Sequence, residues 1–209
     1  MIDPKQHIAD VHRHLSTRTI ETGEADVLTI SQVYDTDIDD LWDVVTNAER
    51  IPRWFLPVSG DLVEGGRYQF EGNAGGTITR CDRPRSYAAT WEMNGSVSWV
   101  EVTLTPEGAG TRFRLDHIAQ VPEAFQAQFG PGATGVGWDG GLWGLANHLA
   151  DPATAMNPEN AAAWLASDEG RQFLRMSSDA WADADIARGT DPETARTRAG
   201  ATYAFYTGA

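Results

Sequence analysis

Along DVLTISQVY (residues 26–34), Val27, Thr29, Ser31 and Val33 share one parity, and Leu28, Ile30 and Gln32 share the other. A period of two predicts a strand. The period then changes. Ile38, Leu41, Trp42 and Val45 recur at helical spacing behind the capping oxygens of Asp35, Thr36 and Asp37. Pro52 ends this region, because proline has no N–H to continue a helix. Short strands follow, predicted at Arg67–Glu71, Gly76–Asp82, Ser86–Met93, Val97–Pro106 and Thr111–Gln120. Between the third and fourth lies Asn94-Gly95, a tight-hairpin signal because both residues tolerate positive φ. Hairpins this tight make an antiparallel meander. Val100, Val102 and Leu104 share one parity, as do Phe113, Leu115 and His117, whereas Arg112, Arg114 and Asp116 take the parity expected to face water.

The pattern turns helical again after the glycine-rich FGPGATGVG, expected as flexible cover over a cavity mouth. Trp138, Leu142, Leu145 and Leu149 form one apolar stripe on a helix predicted at Gly137–Ala150 and closed by Pro152. Beyond it, Pro158–Leu165, Ser167–Arg188 and Asp191–Phe205 read as an added helical hairpin, with Asp168, Glu169 and Asp191 near helix N-termini that favour negative charge. The expected organisation is a loosely packed polar leader at 1–25, a domain at 26–150 and a helical extension at 151–209. No internal repeat or low-complexity segment interrupts it.

Composition narrows the function classes. The net charge is −14, from 16 Lys plus Arg against 30 Asp plus Glu, and no basic run of five residues occurs. Such a field repels phosphate, so nucleic acid is not an expected partner. No apolar run approaches the roughly 20 residues of a membrane span, and MIDPKQHIADVHRHL lacks the apolar region of a signal peptide. A cytoplasmic protein without membrane contact is expected. Cys81, the single cysteine, has no disulfide partner in the chain. His7, His12 and His14 cluster in the leader without a cysteine, a poor basis for a preorganised metal site. No metal or cofactor is expected, and no P-loop, G-x-S-x-G or strand-linked G-x-G-x-x-G is present.

Five strings in order, LWDVVTNAERIPRWF, GDLVEGGRYQF, RPRSYAATWE, GTRFRLDH and GWDGGLWGLANHL, carry a resemblance over about residues 26–150. The chain resembles the START-like (helix-grip, SRPBCC) superfamily, in the branch related to activators of a heat-shock chaperone ATPase. The resemblance implies an α+β fold: a curved antiparallel sheet of about six strands wrapped around a long C-terminal helix, enclosing a cavity for a small hydrophobic or aromatic molecule. It implies neither a reaction nor a chaperone partner, because the fold hosts carriers and enzymes alike.

On that frame the candidate ligand-binding residues are Trp54, Phe55, Trp91, Phe113, His117, Trp138, Leu142 and Leu145. Trp54-Phe55 would sit near the cavity mouth, Trp91 and Trp138 on the inward faces of sheet and helix. This binding reading requires a cavity of roughly 300 Å3 or more, and a grip filled by side chains would defeat it. Two other readings stay open. A cyclase- or hydratase-like enzyme would use His117 as general acid or base with Asp139 as its partner, although a satisfied core histidine and a helix-capping aspartate explain the same pattern. An interaction protein would act through a stripe of Trp164, Phe173, Trp181, Tyr203 and Phe205, docking a partner or a second copy as a homodimer. Trp99, of opposite parity to Val100, is expected outside, and His148 exposed.

Overall fold

The computed structural model of the chain describes residues 1–153 and 158–208. Helix α1 (Pro4–Asp10) leads into two long strands, β1 (His12–Ile20) and β2 (Gly23–Tyr34). Helix α2 (Ile38–Thr46) and a 3-10 turn (Ile51–Arg53) precede β3 (Val58–Gly60), β4 (Arg67–Phe70) and β5 (Gly75–Asp82). Strands β6 (Ser86–Met93), β7 (Ser96–Glu107) and β8 (Gly110–Ala119) complete the sheet. Helices α3 (Glu123–Phe129), α4 (Gly132–Ala150), α5 (Pro158–Leu165), α6 (Asp168–Arg188) and α7 (Pro192–Thr207) follow.

The sheet is antiparallel, in the order β1-β2-β8-β7-β6-β5-β4-β3, and α4 crosses its concave face, which makes an α+β helix-grip fold. It has eight strands rather than about six. One extra strand is β3. The other comes from the segment expected as a loose leader, since β1 pairs with β2 from His12↔Ser31 to Ile20↔Gly23. Only Leu15 of β1 is buried, so this edge strand carries no hydrophobic alternation by which to recognise it.

Local chemistry explains the boundaries that the pattern did locate. Asp37, Ser167 and Asp191 each accept a backbone N–H with their side chains at the starts of α2, α6 and α7, and Gly189 ends α6 at φ 112°. At the β6–β7 turn, Asn94 and Gly95 have φ of 52° and 77°, as a two-residue hairpin requires. Two registers then run across the concave face. One joins Leu28, His117, Val100, Ala89 and Ile78, the other Ile30, Leu115, Val102, Tyr87 and Cys81.

The stretch expected as flexible cover is partly helical instead, because α4 starts at Gly132, five residues before the predicted Gly137. Close packing is the reason. A Cβ on Gly135 would lie 2.2 Å from the Trp181 ring of α6, and one on Gly144 would lie 2.2 Å from the Trp54 carbonyl oxygen. Glycine costs helix stability, roughly 0.5–1 kcal/mol against alanine, but lets neighbouring elements come this close.

The same early start moves Asp139 two turns into the helix, where it caps nothing. It is fully buried and ion-paired to Arg13 of β1 at 2.7 Å. Its Oδ2 also accepts from Ser177 Oγ at 2.5 Å and Trp181 Nε1 at 2.9 Å, both on α6. One carboxylate thus ties the N-terminal strand, the central helix and the C-terminal helices together. The aromatic stripe of the extension is mostly turned inward by this packing. Phe173 and Trp181 are fully buried, Trp164 stacks on Trp143 at 3.9 Å, and Tyr203 lies beneath Arg175, leaving Phe205 62% exposed. Among the described residues, no helix is long and apolar enough to cross a membrane.

Candidate functional site: an aromatic cavity under the grip

Between the sheet, α2, the 3-10 turn and α4 lies a cavity of about 210 Å3. Strand alternation brings Trp91, Ala89 and Tyr87 of β6 to its wall, and helical spacing brings Trp138, Gly141 and Leu142 of α4. One end is a circuit of aromatic rings. Phe55 meets Phe70 edge-on at 5.1 Å, Phe70 meets Trp91 at 5.7 Å, Trp91 meets Trp138 at 5.0 Å, and Trp138 stacks on Phe55 at 6.1 Å and 9°. Trp54, whose indole N–H donates to the Val44 carbonyl, secures the 3-10 turn to α2 beside this circuit.

The rest of the wall is apolar with a few polar groups. Tyr68 Oη donates to the Thr90 carbonyl at 2.7 Å, and Thr46 Oγ1 to the Trp42 carbonyl at 2.6 Å. Tyr87 Oη and Trp91 Nε1 have no hydrogen-bond partner among the described residues, and both side chains line the cavity. Burial pushes both tyrosine hydroxyls well above their ordinary pKa, so they stay protonated donors. Four residues along β6, about 13 Å, separate Trp91 from Tyr87, so the wall has an aromatic end and a hydroxyl end.

Six of the eight expected residues meet here: Trp54, Phe55, Trp91, Phe113, Trp138 and Leu142. His117 and Leu145 do not. Leu145 faces the same core but is wholly buried within it. His117 does point into the grip, yet it lies against Trp91 and Trp138 and lines a separate space of about 40 Å3 instead. Its ring is fully engaged. Trp138 Nε1 can only donate, so at 3.0 Å it meets an unprotonated Nδ1. The neutral ring therefore carries its hydrogen on Nε2 and donates to Ser98 Oγ at 2.8 Å, and Ser98 donates onward to the Trp91 carbonyl. Burial lowers the His117 pKa to about 4. With Asp139 committed to Arg13, the expected His117–Asp139 pair does not exist. His117 props up two cavity walls.

Residues missed by the pattern are Phe70, Tyr68, Tyr87, Cys81 and Arg83. Tyr87 shares parity with Trp91 and was within reach. Cys81 was not, because a bulge between Ile78 and Arg80 reverses the alternation of β5 and brings Cys81 opposite Tyr87 on the cavity side. It is an exposed strand residue at the rim. His148, expected exposed, is 2% exposed with neither ring nitrogen hydrogen-bonded among the described residues. Trp99 does lie on the outer face, half-buried over Ile118, Val27 and Ile20.

A family model described as "Activator of Hsp90 ATPase homolog 1-like protein" matches residues 35–150. The chain belongs to this family. CalU16 from Micromonospora echinospora is similar in two structures. In its crystal structure it is 37% identical at a TM-score of 0.59, over 75% of this chain and 96% of that one. In its solution structure the values are 32% and 0.68, over 86% and 97%. Protein MLL2253 from Mesorhizobium loti, 20% identical at a TM-score of 0.54 over 61% and 98%, shares the fold. No curated protein matches.

Proposed function

We propose that this member of the family binds one small aromatic molecule, of one or two rings, in the grip cavity. The observation that carries the reading is the cavity itself: open space walled by aromatic side chains, with a hydroxyl and an indole N–H that have no hydrogen-bond partner among the described residues. Its volume of about 210 Å3 falls short of the roughly 300 Å3 that the binding reading required, so the reading is kept only for a ligand below drug size. It exceeds the roughly 150 Å3 of an engineered apolar cavity that holds benzene. Size thus favours small ring compounds. An enzymatic role through His117 has less support, since both ring nitrogens are occupied and no carboxylate is paired with it.

Thermal denaturation against a panel of one- and two-ring aromatics tests this. A ligand held at a hundred times its dissociation constant should stabilise the fold by about 2.7 kcal/mol. Ala89→Leu, which puts a larger side chain into the cavity, should abolish that shift while keeping the fold. A panel without effect on the parent protein would refute the reading.

A further inference from the structure

Positive charge is scarce in this chain, and most of it is engaged. Most arginines form ion pairs with Asp or Glu. Arg53 and Arg171 donate to carbonyl oxygens, and Arg175 lies 3.8 Å over the Tyr203 ring. Among the described residues, the arginines whose side chains have no hydrogen bond, ion pair or ring contact are Arg80, Arg83 and Arg85. Arg83 and Arg85 stand in the β5–β6 turn, Arg80 lies in β5 just before it, and Arg83 lines the cavity.

The cavity wall is also selective in the charge it lacks. The chain has 30 Asp plus Glu, yet none of them lines the cavity, where Arg83 is the single charged residue. Glu64 accepts from the Cys81 backbone N–H two residues before Arg83, and the charge of Arg83 also reaches Asp43 on α2. That side chain, however, is held below its ordinary pKa first by hydrogen bonds from Arg50 and Asn47, with the charge of Arg83 adding least. Arg83 therefore has its donors free at the rim. On the wall, the Tyr87 hydroxyl has no hydrogen-bond partner among the described residues, and Tyr87 pairs across the strands with Cys81, two residues before Arg83. Unpaired cationic and hydroxyl donors on a wall that carries no carboxylate of its own complement an acceptor-only group, which is the hydrogen-bonding character of a carboxylate.

We propose that the cavity selects an aromatic anion, an aryl carboxylate of one or two rings, with its rings toward the Phe55–Phe70–Trp91–Trp138 circuit and its negative group toward Arg83. This inference rests on the cavity-binding reading above. The overall charge of −14 opposes anions at long range, so the selection is local and salt-sensitive.

The test is calorimetric titration of 2-naphthoate and its neutral counterpart 2-naphthamide, on the full chain and on Arg83→Gln, with Arg80→Gln and Arg85→Gln as controls. The naphthoate should bind about five- to tenfold tighter than the amide, as for a charge-assisted contact partly open to water. That preference should disappear in Arg83→Gln, persist in both controls and shrink with added salt. Equal binding of acid and amide would overturn the anion inference and leave the cavity reading standing. A preference undiminished in Arg83→Gln would overturn the assignment to Arg83. Failure of both compounds to bind the parent protein would overturn the inference together with the reading on which it rests.

Discussion

The ring of His117 is neutral because two effects agree: it is 8% exposed, and its Nδ1 is an acceptor for an indole N–H that has no alternative role. A histidine held at a pKa of about 4 when folded and about 6.5 when unfolded binds more protons in the unfolded chain throughout that interval. Its stabilisation is therefore complete above pH 6.5 and is lost as the pH falls toward 4, on the order of 3 kcal/mol in all. His7, also buried and lowered to about 4, adds a loss in the same interval. Denaturant titrations from pH 7 to 4 should show this decline, with a flatter slope in His117→Gln; identical slopes would refute the account. Asp139 belongs to the same scale. Asp139→Ala leaves Arg13 charged and buried, so it should destabilise by about 3–5 kcal/mol in urea unfolding. Arg13→Ala should cost a comparable amount, and the double variant less than the sum. Residue type and parity were enough to place His117 on the inward face. Its partners were hidden, because Ser98 and Trp138 reach it only through the β7–β8 register and the rotation of α4.

At the level of elements, α4 shows how one helix can be glycine-rich for opposite reasons. Gly135 has the Trp181 ring where a Cβ would go, whereas nothing lies within 4 Å of the Cβ position at Gly140. Gly135→Ala should therefore destabilise by about 1–3 kcal/mol, the usual range for overpacking. Gly140→Ala should stabilise by up to about 1 kcal/mol through helix propensity. Equal effects in thermal melts would mean that α4 does not contact α6 as closely as described. Most elements were legible from periodicity, and β6 was located to the residue, with the Asn94-Gly95 turn marking its end. The elements that were not legible share a cause. β1 is polar because it is an edge, α3 buries no residue, and the start of α4 contains Gly132 and Gly135 because α7 and α6 press against it. In each, tertiary position overrides the local signal.

For the whole molecule, the central claim is that the sheet, α2 and α4 enclose space rather than a filled core. The family resemblance already implied such a cavity, and the parities of Trp91 and Trp138 indicated its aromatic end. Its size was not readable, because a space of about 210 Å3 depends on where Phe55, Phe70 and Tyr87 place their rings. Nor was its rim, which depends on one bulge in β5. The C-terminal helices close the structure from behind by way of Asp139, and so help to hold the helix that carries Trp138. The most direct measurement is native mass spectrometry of the protein purified from its own cells, with release and identification of any retained small molecule. One ring compound of one or two rings per chain is the predicted result. A chain that is empty when isolated and gains no thermal stability from any one- or two-ring aromatic would contradict the account.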